Sequence, residues 1–262
     1  MQTIGAKWRV VPLITGSGWP RLEAAVTMVV HDAEVILVDC GAAEQRPSLV
    51  AALARHAIVP ESIQTVILTH THFDHIENLD LFKHARIFVH AHEVEMLHEL
   101  IEAALDDQVS ERLQGQYCRI QPYYSRQIAR RLEADTDRYQ WILDRLSGDH
   151  DKVTQIMGDH EVHEGLRLVP TPGHTSGHVS VHIETAQHGS VWITGDAVPT
   201  RRAWGEGGRL PLAVNEDLAH RSRGRIGARP GIIVPGHDQP FDSLTLSYVQ
   251  LSESAEGAVA YG

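Results

Sequence analysis

Cysteine is scarce in this chain, with two in 262 residues, Cys40 and Cys118, far apart and in no paired motif. That excludes a disulfide framework and leaves both as small buried hydrophobes of a reduced chain. Long apolar runs are missing as well. No stretch approaches the length of a membrane span, and MQTIGAKWRVVPLITGSGWP has neither the apolar core nor the small-residue cleavage site of a signal peptide. The expected location is the cytoplasm, with no membrane partner. Positive charge is also short: 23 Lys and Arg against 34 Asp and Glu give a formal net charge of −11. A surface built to attract phosphate backbones normally shows the opposite balance, so nucleic acid is not an expected partner. No fixed-period repeat or low-complexity segment occurs. With 42% hydrophobic and 22% charged residues, the composition is that of a globular protein with a sizeable core.

Strand and helix patterns alternate in the first third. WRVVPLI (8–14), AAVTMVV (24–30), EVILVD (34–39), TVILT (65–69) and ARIFVH (85–90) read as strands, bounded by turn-rich TGSGWP and HDAE. PSLVAALARH (47–56) reads as a helix with Pro at its start. From about residue 92 to 150 the pattern is charged and helical, and it holds Tyr117, Tyr123, Tyr124, Tyr139 and Trp141. Strands resume at GLRLVPTP (165–172), HVSVHIET (178–185), SVWITGD (190–196) and GIIVPGH (231–237). A β-rich chain interrupted once in this way predicts a single domain over 1–262 with a helical insertion. The terminal SESAEGAVAYG is expected to be weakly ordered.

One short stretch carries the chemistry. LTHTHFDH (68–75) puts three histidines and an aspartate into eight positions where the TVIL strand ends. His70 and His72 can share a face because alternate strand residues do, and Asp74 and His75 sit on the turn that follows. Two pairs of ligands aimed at neighbouring positions suit two metal ions better than one. Eighteen histidines allow some clustering by chance, but three later strand ends repeat the pattern. His174 lies in TPGHTSGH, Asp196 in WITGDA and His237 in VPGHD, each on a turn containing Gly or Pro. Side chains on loops at the edge of a rigid sheet are where function concentrates.

HTHFDH, followed in order by GHTSGH, TGD and PGHD, resembles the metallo-β-lactamase superfamily, and VDCG (38–41) is similar to its strand-end Val-Asp-Thr-Gly. The resemblance implies an α/β fold, a four-layer αβ/βα sandwich with a two-metal site at one edge of its sheets. It assigns His70, His72 and His174 to a first ion and Asp74, His75 and His237 to a second, with Asp196 bridging. The ions would be zinc, iron or manganese, which this mix of imidazole and carboxylate suits, zinc being the leading expectation. Two ions roughly 3.5–4 Å apart would share a hydroxide for attack on a carbonyl or phosphoryl centre. Asp74 is the candidate catalytic acid–base group. Asp39 has two readings, as acceptor for the free N–H of a metal-bound imidazole or as a cap on the turn after it. His178 is expected to brace the His174 loop by a hydrogen bond.

In length and layout the chain is similar to acyl-homoserine lactonases, which implies a small-molecule lactone or ester as substrate. Those enzymes commonly carry a tyrosine three residues after the bridging aspartate, where this chain has Pro199. The alternatives are a phosphodiesterase of the nuclease type, suggested by NLDLF (78–82) and VPGHDQPF (234–241), and a catalytically weak metal-containing binding protein. Aromatics of the helical stretch could wall the site, pack onto the core or form a homodimer interface. Trp19 in GSGWP and Trp204 in RAWGEGG are candidate substrate-lining residues.

Overall fold

The computed structural model of the chain describes residues 8–18, 23–106, 108–117, 120, 122–148, 151–207, 210 and 212–251. Trp19, Cys118 and the terminal SESAEGAVAYG lie outside them. The first half builds β1 (Arg9–Ser17), β2 (Glu23–His31), β3 (Glu34–Val38), α1 (Arg46–Arg55), β4 (Thr65–Ile67), α2 (Phe73–Ile76) and β5 (Arg86–His90). Four helices follow, α3 (Ala91–Leu105), α4 (Val109–Gln116), α5 (Pro122–Ala134) and α6 (Thr136–Gly148). The second half continues with β6 (Val153–Ile156), β7 (His160–His163), β8 (Leu166–Pro170), β9 (Val179–Thr185) and β10 (Gly189–Gly195). It ends with α7 (Arg201–Gly205), α8 (Glu216–Gly227), β11 (Ile232–Pro235) and β12 (Phe241–Asp242).

The strands form two six-stranded sheets, β1-β2-β3-β4-β5-β6 and β12-β11-β10-β9-β8-β7. In the first, β1 to β3 are antiparallel and β3 to β6 parallel. The parallel pairing of β5 with β6 needs a crossover, and α3 to α6 supply it. In the second sheet only β10 and β11 run parallel, joined through α7 and α8.

Strand alternation sorts the core into layers. Ile36, Val38, Ile67 and Phe88 of the first sheet meet Leu168, Val181, Ile193 and Val234 of the second. Their neighbours Leu37, Val66, Ile87 and Val89 point the other way, into an apolar cluster with Leu49 and Leu53 of α1, Leu97 and Leu100 of α3, and Ile142 and Leu146 of α6. Trp192 and Ile233 face outward from the second sheet onto Ile226 of α8. The order is helix, sheet, sheet, helix, which is the expected αβ/βα sandwich. Both faces of each sheet are covered, and that is why the central strands read as unbroken apolar runs.

Some boundaries differ from the sequence reading. β1 runs on to Ser17, while β4 stops at Ile67 because the chain beyond it turns away to carry the histidines. Three strands and the helices α2, α7 and α8 are not legible in the sequence. VTQI of β6 buries only its two ends, HEVH of β7 buries nothing fully, and β12 is two residues long. α8 (EDLAHRSRGRIG) buries only Ala219, Ser222 and Ile226, and its start is fixed by the Asn215 side chain accepting from Leu218 N at 3.0 Å. No helix among the described residues is long and apolar enough to cross a membrane.

Candidate metal centre

Strand ends from both sheets converge at one edge of the sandwich. Asp39 follows the end of β3 and β4 feeds His70; β8 runs into the His174 turn, β10 into Asp196, and β11 into His237. Two backbone hydrogen bonds clamp the sheets together there, Val179 N to Thr69 O at 2.9 Å and Ala25 N to Gly236 O at 2.7 Å.

His70, His72 and His174 form one cluster. Nδ1 of His72 lies 3.0 Å from Nε2 of His70 and 2.9 Å from Nε2 of His174. Burial is the main cause that lowers the pKa of each, and the three rings direct nitrogens at a common point. Asp74, His75 and His237 form a second cluster, with Nε2 of His237 3.6 Å from Oδ2 of Asp74 and Nε2 of His75 4.0 Å from the same oxygen. Burial raises the pKa of Asp74, partly offset by His75 and His237. For His75 burial acts downward, but Asp39, Asp74 and Asp196 override it and raise it to about 9. For His237 burial is likewise overridden by Asp196 and Asp74, which raise it to about 10.

Asp196 lies between the clusters. Its Oδ2 is 3.3 Å from Nε2 of His174, and its Oδ1 is 3.2 Å from Nε2 of His237 and 3.7 Å from Nε2 of His75. Burial works against its charge, yet the histidines hold the carboxyl well below its usual range. Gly236 makes room for it, since a Cβ there would lie 2.0 Å from Oδ1. Three sets of ligand atoms are close enough to hold a cation: His70–His72–His174, His70–His75–Asp196 and Asp74–His75–His237. Nε2 of His75 is buried without a hydrogen-bond partner among the described residues, and Oδ1 of Asp196 faces only the ring nitrogens of His237 and His75. Orphaned buried polar atoms are costly, and a shared cation would satisfy both. The donor set therefore fits metal.

The outward ring nitrogens are all tethered. His75 Nδ1 donates to Oδ2 of Asp39 at 2.7 Å, and the same oxygen accepts from Thr69 Oγ1 at 2.8 Å. Thr69 Oγ1 in turn pairs with Nδ1 of His70 at 3.0 Å. Nδ1 of His174 donates to Leu212 O at 2.8 Å, and Nδ1 of His237 to Glu23 O at 3.1 Å. His178 joins Thr171 Oγ1 through Nδ1 at 2.9 Å, and its Nε2 accepts from Asp196 N at 3.1 Å, so it holds the backbone of Asp196.

Two contributors come from the helical stretch and lack a sequence motif. Glu93, fully buried in α3, accepts from Thr71 N at 2.8 Å and from Gly177 N at 3.0 Å, and also bonds the hydroxyls of Thr71 and Thr175. One carboxylate thus joins the loop between His70 and His72 to the loop after His174. Tyr117, at the end of α4, meets Nε2 of His72 through its hydroxyl. Trp204 packs on the Trp192–Phe241 cluster, and its Nε1 donates to Ser243 O at 3.0 Å, which anchors α7. Pro199 gives its carbonyl to His237 N at 2.7 Å and so supports the last ligand's backbone.

The sequence profile of the metallo-β-lactamase superfamily matches residues 19–237. Metallo-β-lactamase domain-containing protein 1 of Xenopus laevis is 27% identical over 221 residues, 84% of this chain and 73% of that protein. An N-acyl homoserine lactonase of Bacillus thuringiensis is 41% identical over 88 residues, 32% of this chain and 34% of that enzyme. Among solved structures, a variant of B. thuringiensis AiiA with N-decanoyl-L-homoserine bound at its active site matches with a TM-score of 0.56. It covers 86% of this chain and 89% of that one at 21% identity, a likeness of fold. Layer order, edge site and profile agree, and the chain belongs to the metallo-β-lactamase superfamily.

Proposed function

We propose that the chain is a dinuclear metal-dependent hydrolase that opens a lactone or carboxylic ester. The observation that carries this reading is Asp196, whose two oxygens face different histidine clusters. A carboxylate placed in that way could serve two cations, and a single-ion site would leave Asp74, His75 and His237 without a purpose. His70, His72 and His174 would hold one ion, and Asp74, His75 and His237 the other. When bound, such ions supply Lewis acidity that brings the pKa of water towards neutrality and polarises a substrate oxygen.

The chain's own residues do the rest. Asp39, Leu212 O and Glu23 O fix the rings of His75, His174 and His237 by their Nδ1 protons, so that Nε2 is the nitrogen turned to the metal position, which a bound cation would occupy in place of a proton. Asp74 is buried, with one oxygen in the second cluster, and is placed to take a proton from attacking water and return it to the leaving alkoxide. The net charge of −11 favours a small substrate over a nucleic-acid backbone. The sequence match to a homoserine lactonase supports lactone over simple ester. Proline has no hydroxyl, so the contact a tyrosine at position 199 would make to the lactone has to come from elsewhere.

The test is proton release in a pH-stat from protein loaded with Zn²⁺, Mn²⁺ or Fe²⁺. The panel holds acyl-homoserine lactones, esters, a thioester and a phosphodiester, with Asp196→Ala as blank. Lactone or ester opening abolished in the blank is the expected result. Phosphodiester cleavage with inert lactones would move the chain to a nuclease-type hydrolase, and inactivity across the panel would favour a binding protein.

A further inference from the structure

Four of the five ligand-set histidines share one orientation. His70, His75, His174 and His237 turn Nε2 inward and tether Nδ1 to a hydroxyl, a carboxylate or a backbone carbonyl. His72 is reversed. Its Nδ1 faces His70 and His174, and its Nε2 points away from the centre into the helical stretch. Imidazole can put its proton on either nitrogen, so the reversed ring needs an acceptor of its own to keep Nδ1 free.

The group at that position is the hydroxyl of Tyr117, which is 3% exposed. Met96 Sδ lies 3.9 Å from the same oxygen and can take the hydroxyl proton, which would leave an oxygen lone pair for His72. The centroids of the two rings are 5.8 Å apart at 44°, so the link is through the hydroxyl edge and not by stacking. Met96 belongs to α3, two turns of whose buried face also supply Glu93, Leu97 and Leu100.

We propose that Tyr117 is the positioning residue for the three-histidine half of the site: by accepting Nε2–H of His72 it selects the tautomer whose Nδ1 lone pair binds metal. The helical stretch thereby governs metal affinity without touching an ion. This rests on the metal-centre reading above and is independent of which substrate is opened.

Tyr117→Phe keeps the ring and its packing and removes the oxygen alone. Two readouts apply. In metal-free protein labelled with ¹⁵N-histidine, the His72 signals, assigned by their loss in His72→Ala, report the tautomer. Nδ1–H is expected to gain population in Tyr117→Phe relative to the parent. Zinc affinity, measured by competition with a chromophoric chelator, should fall about 10-fold or more, the range in which ligand-orienting partners act. The folded state is checked by circular dichroism, and activity is not needed. An unchanged His72 tautomer population in Tyr117→Phe, or equal zinc affinity in parent and Tyr117→Phe, would overturn the proposal alone. A parent that takes up no zinc would overturn the metal-centre reading with it.

Discussion

Oδ2 of Asp39 accepts a 2.7 Å hydrogen bond from Nδ1 of His75, while Oδ1 of the same carboxylate accepts from Thr69 N at 2.8 Å. Asp39 adopts a left-handed backbone, with φ of 60°, as the chain leaves β3. Asparagine tolerates that conformation and nearly matches the shape. It cannot, however, accept on both sides. In Asp39→Asn either Thr69 N loses its acceptor or an amide N–H meets Nδ1 of His75 and drives the ring proton onto Nε2, where metal would bind. Zinc affinity is expected to fall about 10–100-fold with the fold retained. Unchanged affinity in a chelator competition would reduce Asp39 to a turn cap.

Glu93 predicts a stability effect. Its four donors divide between two oxygens, and glutamine has only one acceptor to offer. Glu93→Gln should lose about 2 kcal/mol, read from the urea midpoint, because buried donors facing an amide nitrogen go unsatisfied. A midpoint within error of the parent would mean the two ligand loops hold themselves in place.

Two glycine changes have opposite signs. Gly236→Ala would press a methyl group onto Asp196 Oδ1 and displace the carboxylate between the clusters. Its expected result is loss of bound metal. Gly224→Ala lies on the exposed side of α8 with no atom within 4 Å of the new carbon. It should stabilise by about 1 kcal/mol in thermal or urea unfolding, from helix propensity alone.

Asp74→Asn separates a proton carrier from a mere ligand. If Asp74 moves protons, turnover at saturating substrate should fall by about 10²-fold or more, while metal content by elemental analysis changes little. Parallel loss of metal and turnover would confine it to ligation.

The metal-competent set was legible because each member ends an apolar strand in a short turn, a local signal that survives without the fold. TVIL before HTHFDH and SVWIT before GDA each announce both the strand and the group it carries. Glu93 and Tyr117 leave no such mark. Glu93 reads as an ordinary first-turn acid of α3, and Tyr117 as one aromatic among several in a helical stretch. Their roles come from where the β5–β6 crossover lays its helices, a tertiary fact. β7 went unread for a related reason, since a sheet-edge strand such as HEVH buries too little to need an apolar pattern.

If the Asp196 carboxylate joins two cation sites, metal stoichiometry should show it. Protein loaded with excess zinc, freed of unbound ions by gel filtration and measured by elemental analysis, should carry about two ions per chain, with a marked fall in Asp196→Ala. A parent holding one ion or none at saturation, or an Asp196→Ala protein that keeps the parent's content, would contradict it.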